Sequence, residues 1–527
     1  MTPLLLLFVF VTYSITGVHG NGAFGTKFIF TFPYQSAFEV IPSVFVSTQV
    51  KDPVMVTVSV PGIGFTHVAS VTRDQGTRID LPEEAAILYS SSVQTNKTVV
   101  VHAGSPVSIH GYYTTAFIAD GFLVIPTTAL GKNYVAVGYP PASTLGVDSY
   151  SEFTVSAIED NTTVSMVSIK EQREFTISLK QLESYQFVAD SENITDVTGM
   201  LINADKIVSV MSGHQATVVT STSDFDYLME NIPPVSALGQ HYILAPFLGR
   251  TSGFVYRIVA TSSGVTNVTI SGVNVSLSTG EFYEGNTMTS EDLITMLADK
   301  PIMVCQYSKG YQTDKVGDPF MVLLPSIQAF YYNVTFPVAK LIRPYQQYFI
   351  SITTKCGNIY SFYLDGLPLC IPDNGDVLQT SDGTFCVLRT PITTGFHSVT
   401  HPTDSFLVIV YGFARREAYG YVAGYNVGLN MTGSADTSIN GIDSDLSDSM
   451  ESISAQPQMQ MQTTTDTAPL TGPLTLACNA SVSMSTATIS GPLTTTTNAM
   501  NNSLSRASTI IAVKAVTVAV AIFVTLL

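Results

Sequence analysis

The sequence predicts an all-β protein built as a tandem repeat of about four β-sandwich-like units, followed by a disordered stalk. Three observations predict it. Stretches such as "DPVMVTVSV", "FTVSAI", "REFTISL", "FVYRIVA" and "QYFISITT" alternate or run apolar with β-branched and aromatic residues. Turn signals such as "EDNTT" and "LDG" separate them. Two sequence anchors recur in a constant order along residues 21–428.

The elements follow in chain order. "MTPLLLLFVFVTYSITGVHG" (1–20) has an apolar run and then small residues, the pattern of a signal peptide, although no Lys or Arg precedes the run. The first anchor is "HAGSPVSIHGYY" (102–113), "NADKIVSVMSGH" (203–214), "LADKPIMVCQYS" (297–308) and "PTDSFLVIVYGF" (402–413). Each is a short turn followed by an apolar strand. Aligning Ser105, Lys206, Lys300 and Ser405 gives spacings of 101, 94 and 105 residues. The second anchor is "IPTTALGKNYVAVGYP" (125–140), "PPVSALGQHYILAPF" (233–247) and "LPSIQAFYYNVTFPV" (324–338), whose later part fits "FGTKFIFTFPY" (24–34). Units of about 24–120, 121–225, 226–318 and 319–428 result. Each has room for six or seven short strands, as a β-sandwich does; propeller blades are the alternative. Phe406–Phe413 reads as the closing strand, buried on both sides. Tyr419, Tyr421 and Tyr425 read as a half-buried last strand. The best helical pattern is "SEDLITMLA" (290–298), with Ser and two acids where an N-cap would stand.

Residues 429–507 change character. "QPQMQMQTTTDTAPLTG" and "SMSTATISGPLTTTTNAM" have no apolar period, so this segment cannot bury enough surface to offset its chain entropy and reads as an O-glycosylated stalk. The tail, 508–527, ends in "AVTVAVAIFVTLL" with small polar residues and a spacer before it, the order of a GPI-attachment signal. Asn501 is the attachment candidate, with Ser503 and Ser505 as neighbours; a membrane-spanning helix is the alternative. Asn96, Asn161, Asn193, Asn267, Asn274, Asn333, Asn430 and Asn479 stand in N-x-S/T and are candidate glycosylation sites; Asn501 shares the motif.

"LVIVYGFARREAYGYVAGYNV", "VIPTTALGKNYVAVGYPP" and "VGDPFMVLLPSIQAFYYNVTFPV" resemble, in order, signatures of the N-terminal domain of the IgG Fc-binding protein family. The resemblance spans about residues 24–428. It implies an extracellular binding protein and supplies no catalytic residues. The cysteine-rich von Willebrand D modules of the mucus protein do not follow, so Fc binding itself is not carried over.

The remaining residues bound the function. A formal charge of −17 with no dense Lys/Arg run excludes a nucleic-acid partner. Five cysteines are few for a secreted chain of 527 residues, so the core must supply the stability. Cys356, Cys370 and Cys386 allow three pairings; Cys305 is a buried thiol or reaches the same unit, and Cys478 in the stalk is a candidate for intermolecular pairing. Enzyme signatures are weak. "GRTSG" (249–253) has Thr251 where a nucleophile elbow needs Ser. His102 and His110 read as surface histidines, Asp224 and Asp226 as a polar loop, and Arg415-Arg416 as a turn that keeps a strand edge soluble. The expectation is a non-enzymatic adhesion or recognition protein on the cell surface, needing no cofactor or metal. Its partners would be an extracellular protein or glycan ligand and, through the tail, a membrane. The alternatives are a hydrolase assembled from distant loops and a structural coat component.

Overall fold

The computed structural model describes residues 23–427 apart from 36–40, 74, 88–90, 116–117, 143–148, 190–193 and 221–223. The expected leader, stalk and tail lie outside the described residues. Among the described residues there are strands and single 3-10 turns and no α-helix.

One pairing scheme occurs four times. A long strand, Val99–Thr114, pairs along its first half with Gly25–Phe30 and Val54–Val60, and along its second half with Ile41–Ser47 and Ala119–Leu123. Leu201–Thr217 does the same with Gly131–Val135 and Thr162–Ser168, then Ser151–Ala157 and Asp226–Asn231. Ile294–Tyr307 repeats it with Gly239–Leu244 and Val265–Ile270, then Val255–Ala260 and Met321–Leu324. In the last copy the long strand is broken. Gly395–Thr400 pairs with Asn333–Val338 and Tyr363–Leu364, and Leu407–Ala414 pairs with Gln347–Lys355 and Glu417–Val422. The recurring turn of the first anchor is thus the point where a strand leaves one sheet for the other. The register slips there in the first three copies. In the fourth, 401–406 contains Pro402, which has no N–H to give a ladder. Each unit is therefore curled around one strand, and the sheets do not form two independent layers.

Burial follows position. The outer hairpins alternate, as in Val54–Val60, Thr162–Ser168 and Val265–Ile270, because one face meets water. Leu407–Ala414 and Ser151–Ala157 are buried at every position. Each aliphatic side chain so buried contributes about 1.5–3 kcal/mol relative to exposure.

The strand that follows each long strand faces inward. Ala119–Leu123 packs against Asp226–Asn231 and Glu417–Val422, and Met321–Leu324 packs against the same two, so four inner strands close a ring. Glu417–Val422 is consequently buried on both faces, where the sequence suggested a half-buried last strand. Tyr419 packs edge-on against Tyr112 with centroids 5.3 Å apart, and Tyr421 lies 5.0 Å from His110, joining the last unit to the first. Carboxylates take up N–H groups that face across the ring. Asp120 accepts from Gly121 (2.8 Å), from Met229 of the second inner strand (3.1 Å) and from Gly420 of the fourth. Glu230 accepts from Leu323 of the third at 3.0 Å. Burial holds both carboxyls well above the usual range, each with backbone donors pulling the other way.

The expected helix over 290–298 is absent. Ser290 and Glu291 lie in a bend, and Ile294, Met296 and Ala298 alternate as part of the third long strand. An apolar pattern this short fits both periods, and cross-strand partners decide it. His110, expected at the surface, is buried; burial drops its pKa to about 3, and Nε2 meets the Ala423 carbonyl at 3.2 Å. His102 is exposed.

Gly213 tests the close approach of the second long strand to its inner strand. A Cβ there would stand 1.8 Å from the Leu228 carbonyl oxygen, which belongs to backbone leading through the second inner strand. Gly213→Ala is expected to cost about 3 kcal/mol or more, the upper part of the overpacking range, read as a lowered thermal midpoint. Gly104→Ala, whose nearest atom is 3.8 Å away, should change stability by less than about 0.5 kcal/mol.

Candidate functional site

A cleft of about 400 Å³ opens at the seam of the third and fourth units, lined by Tyr311, Lys315, Val316, Tyr345, Gln347, Ala414 and Arg415. Three segments build it. Tyr311 to Val316 follow the third long strand, Tyr345 and Gln347 lead into Gln347–Lys355, and Ala414 and Arg415 begin the turn before Glu417–Val422.

A buried ion pair holds the first segment. Arg250 Nε lies 2.8 Å from Asp314 Oδ2, with side chains 1% and 3% exposed. Its Nη1 donates to Ser308 Oγ (2.9 Å) and its Nη2 to the Lys309 carbonyl (2.8 Å), while the guanidinium lies 5.3 Å from the centre of the Phe413 ring. Asp314 also accepts from Thr251 N–H and Ser252 Oγ–H, and its other oxygen from Val316 N–H. Burial pushes the Asp314 carboxyl up, and Arg250 with these donors outweighs it, leaving the pKa below the usual value. Gly317, at φ 62°, lets Phe413 approach; a Cβ would meet that ring at 2.6 Å.

Backbone strain gathers at and beside this cleft. Lys315 (φ 66°), Tyr345 (φ 65°), Arg416 (φ 57°) and Asp224 (φ 68°) all occupy the left-handed region. For residues other than Gly this costs of order 1–3 kcal/mol each, and such outliers concentrate at ligand sites. Tyr345 is 81% exposed, so no burial of its ring offsets the strain.

The charges are mostly positive. Lys315 Nζ lies 5.7 Å from the centre of the Tyr311 ring and donates to Gln312 Oε1 at 2.5 Å. Arg416 lies 5.2 Å from the same ring and pairs with Asp224 Oδ1 at 2.8 Å. Arg415 is exposed and has no ion-pair partner among the described residues. Beneath them lie Asp226 and Asp318, fully buried. Burial raises both carboxyls well above the usual range; Asp318 then adds to the shift of Asp226, and Asp224 to that of Asp318. The polar loop expected at Asp224 and Asp226 holds for Asp224, which pairs with Arg416, but not for Asp226, which begins an inner strand and is fully buried.

Other predicted residues are spread over the surface. Asn161, Asn267 and Asn274 are exposed, and Asn96 and Asn333 are half-buried. Asn267 Nδ2 donates to Asp299 Oδ2 at 2.8 Å. Asn193, Asn430, Asn479, Asn501, Ser503, Ser505 and Cys478 lie outside the described residues. Cys356 and Cys386 form a disulfide. Cys370 follows the small Tyr363–Pro368 hairpin of the same unit. Cys305 is a buried free thiol, pushed up by burial. Thr251 lies in the loop anchored by Asp314, to which its N–H donates at 3.1 Å. Among the described residues no group of three or more His, Cys, Asp or Glu is placed to hold a metal, and no helix is long and apolar enough to cross a membrane.

The sequence reading missed the buried cations. Besides Arg250, Arg257 joins the second and third units. Its guanidinium lies 4.6 Å from the centre of the Tyr139 ring and 4.5 Å from that of Phe282, with Asp196 Oδ2 at 2.7 Å and Glu284 Oε2 at 2.9 Å. A charged residue inside an apolar strand, as in "FVYRIVA", is the signal that could have marked it.

Comparison with known proteins gives one family. No curated protein matches this chain. Among solved structures, the BSP domain of a biofilm associated protein is 5% identical over 77% of this chain and 97% of that one, with a TM-score of 0.13. The native conformation of E. coli alpha-2-macroglobulin is 9% identical over 77% of this chain and 40% of that one, with a TM-score of 0.10. Scores this low do not denote a shared fold. The sequence profile of the IgGFc binding protein family matches residues 120–412, more than half of the chain and all of the second and third copies of the long strand. By that match the chain belongs to the IgGFc binding protein family, a family of extracellular binding proteins.

Proposed function

We propose that this chain is a cell-surface glycoprotein that binds a protein or glycan ligand in mucus, matrix or immune recognition, held to the membrane through its C-terminal tail. The observation that carries the reading is the seam cleft. Its exposed Tyr345 and its cation Lys315 stand in strained backbone, and the segment that carries Lys315 is held by the buried Arg250–Asp314 pair. Such a surface meets a ligand with little left to order, and Tyr gives large contact area at low entropic cost. Family membership supports an extracellular role. A hydrolase fits less well: the carboxylate pair beside the cleft, Asp226 and Asp318, is 0% and 2% exposed and cannot meet a substrate.

The test uses cells displaying the full chain. Phosphatidylinositol-specific phospholipase C should release it, and the released protein should bind immobilised mucus or matrix glycoproteins saturably. Retention on the cell would remove the lipid-anchor reading. Self-association without saturable binding would favour the coat reading. Digestion with an N-glycosidase should raise its gel mobility through loss of glycans at exposed sites such as Asn161.

A further inference from the structure

We propose that the seam cleft is a site for an acidic saccharide, a sugar bearing a carboxylate or sulfate; this rests on the binding reading above and names the ligand class. The chain carries a formal charge of −17. Its cleft nonetheless brings Lys315 and Arg415 together, while the next residue, Arg416, is outside the lining and is paired with Asp224. Asp314 is turned inward onto Arg250, and Asp318 is buried, so neither presents a charge to the opening. A planar guanidinium and an ammonium on one rim suit an oxyanion.

The rest of the lining suits a sugar ring. Tyr345, 81% exposed, offers an aromatic face, whose negative potential attracts the polarised C–H bonds of a pyranose. Gln347 can both donate to and accept from hydroxyls. About 400 Å³ falls in the lower part of the range for small-ligand sites. The walls come from turns and strand ends, not from an open strand edge that an acidic peptide could extend by backbone pairing. None of the N-x-S/T motifs includes a lining residue, so a glycan on this chain would not be attached within the cleft.

The experiment is calorimetric titration of the phospholipase-released full chain with 3′-sialyllactose, 3′-sulfolactose and lactose at low and high salt. Both acidic sugars should bind at least tenfold more tightly than lactose, and salt should narrow the gap. Preference for the sialyl form identifies a carboxylate, and the reverse a sulfate. Lys315→Ala/Arg415→Ala changes exposed side chains and should leave the melting temperature unaltered. It should weaken the acidic sugars at least tenfold and lactose hardly at all; Tyr345→Ala should weaken all three. Equal affinity for lactose, unchanged affinity in the double variant, or equal competition by a polyglutamate peptide would overturn the proposal. If the double variant binds mucus or matrix glycoproteins as well as wild type does, the cleft assignment fails and the binding reading stands. If wild type binds neither sugars nor glycoproteins, both fail.

Discussion

Replacing Arg257 by alanine is expected to lower the stability of the folded region by about 3–5 kcal/mol, the cost of breaking a buried ion pair from one side. The side chain is 3% exposed and satisfies Asp196, which is 14% exposed, together with the Gly138 carbonyl (2.9 Å) and Thr198 Oγ1 (2.8 Å). Burial alone would raise the Asp196 carboxyl; the Arg257 charge and the Thr198 hydrogen bonds override it and hold the pKa below its ordinary value. Alanine leaves that carboxylate buried without its counter-charge and empties the space between Tyr139 and Phe282. Glu284, 40% exposed, can turn to water and loses little. Urea unfolding followed by Tyr fluorescence is suitable, because the chain has no Trp. Arg257→Lys should recover little, since an ammonium cannot fork between Asp196 and Glu284. Arg257→Met with Asp196→Asn should recover most of the loss, because both buried charges then disappear. A cost below about 1 kcal/mol for Arg257→Ala would place this pair with ordinary surface salt bridges and refute its structural role.

The second large effect depends on pH. Asp226 and Asp318 have folded-state pKa values well above that of an unfolded Asp, first through burial and then through like charge. The native state therefore holds a proton that the unfolded chain has released. The stability from this source is full below about pH 4, the unfolded value, and is lost as pH rises toward the folded value. The slope is about 1.4 kcal/mol per pH unit for each such proton. Asp318→Asn removes one of the two charges, so the variant should gain on wild type by up to that slope as pH rises from 5 upward. Comparing variant with wild type cancels the opposite contribution of buried His110 and His214. Their pKa values lie near 3 through burial, and they withdraw stability as pH falls below 6.5. Parallel melting curves of the two proteins from pH 5 to 8 would show that the carboxyls are ionised and satisfied throughout.

The strands were legible in the sequence because side chains that alternate between core and water leave a period of two. The long strands were legible for a second reason: their turns recur, and each turn moves the chain between sheets. The turn expected at Arg415-Arg416 is present between Leu407–Ala414 and Glu417–Val422. What escaped was everything set by contact between distant segments. Glu417–Val422 looked half-buried because Gly420 and the tyrosines mimic alternation, yet its second face meets inner strands from residues 119–123 and 321–324. Asp226 was read as part of a polar loop because carboxylates usually lie at the surface; Asp120, Asp226 and Glu230 instead take backbone N–H groups from across the ring. The cleft escaped for the same reason, as its three segments are far apart in the chain and no spacing rule joins them.

Ring closure also constrains how the chain can be made. Asp120 takes a proton donor from Gly420, and Tyr112 packs on Tyr419, so the first quarter of the molecule finds its last partners some three hundred residues later. During synthesis the early units must wait with inner edges uncovered until the final hairpin emerges, a delay that favours aggregation. A nonsense mutation or proteolytic trim before residue 417 would then not yield a shorter working protein. It would yield a three-quarter shell with apolar rims, a client for secretory chaperones.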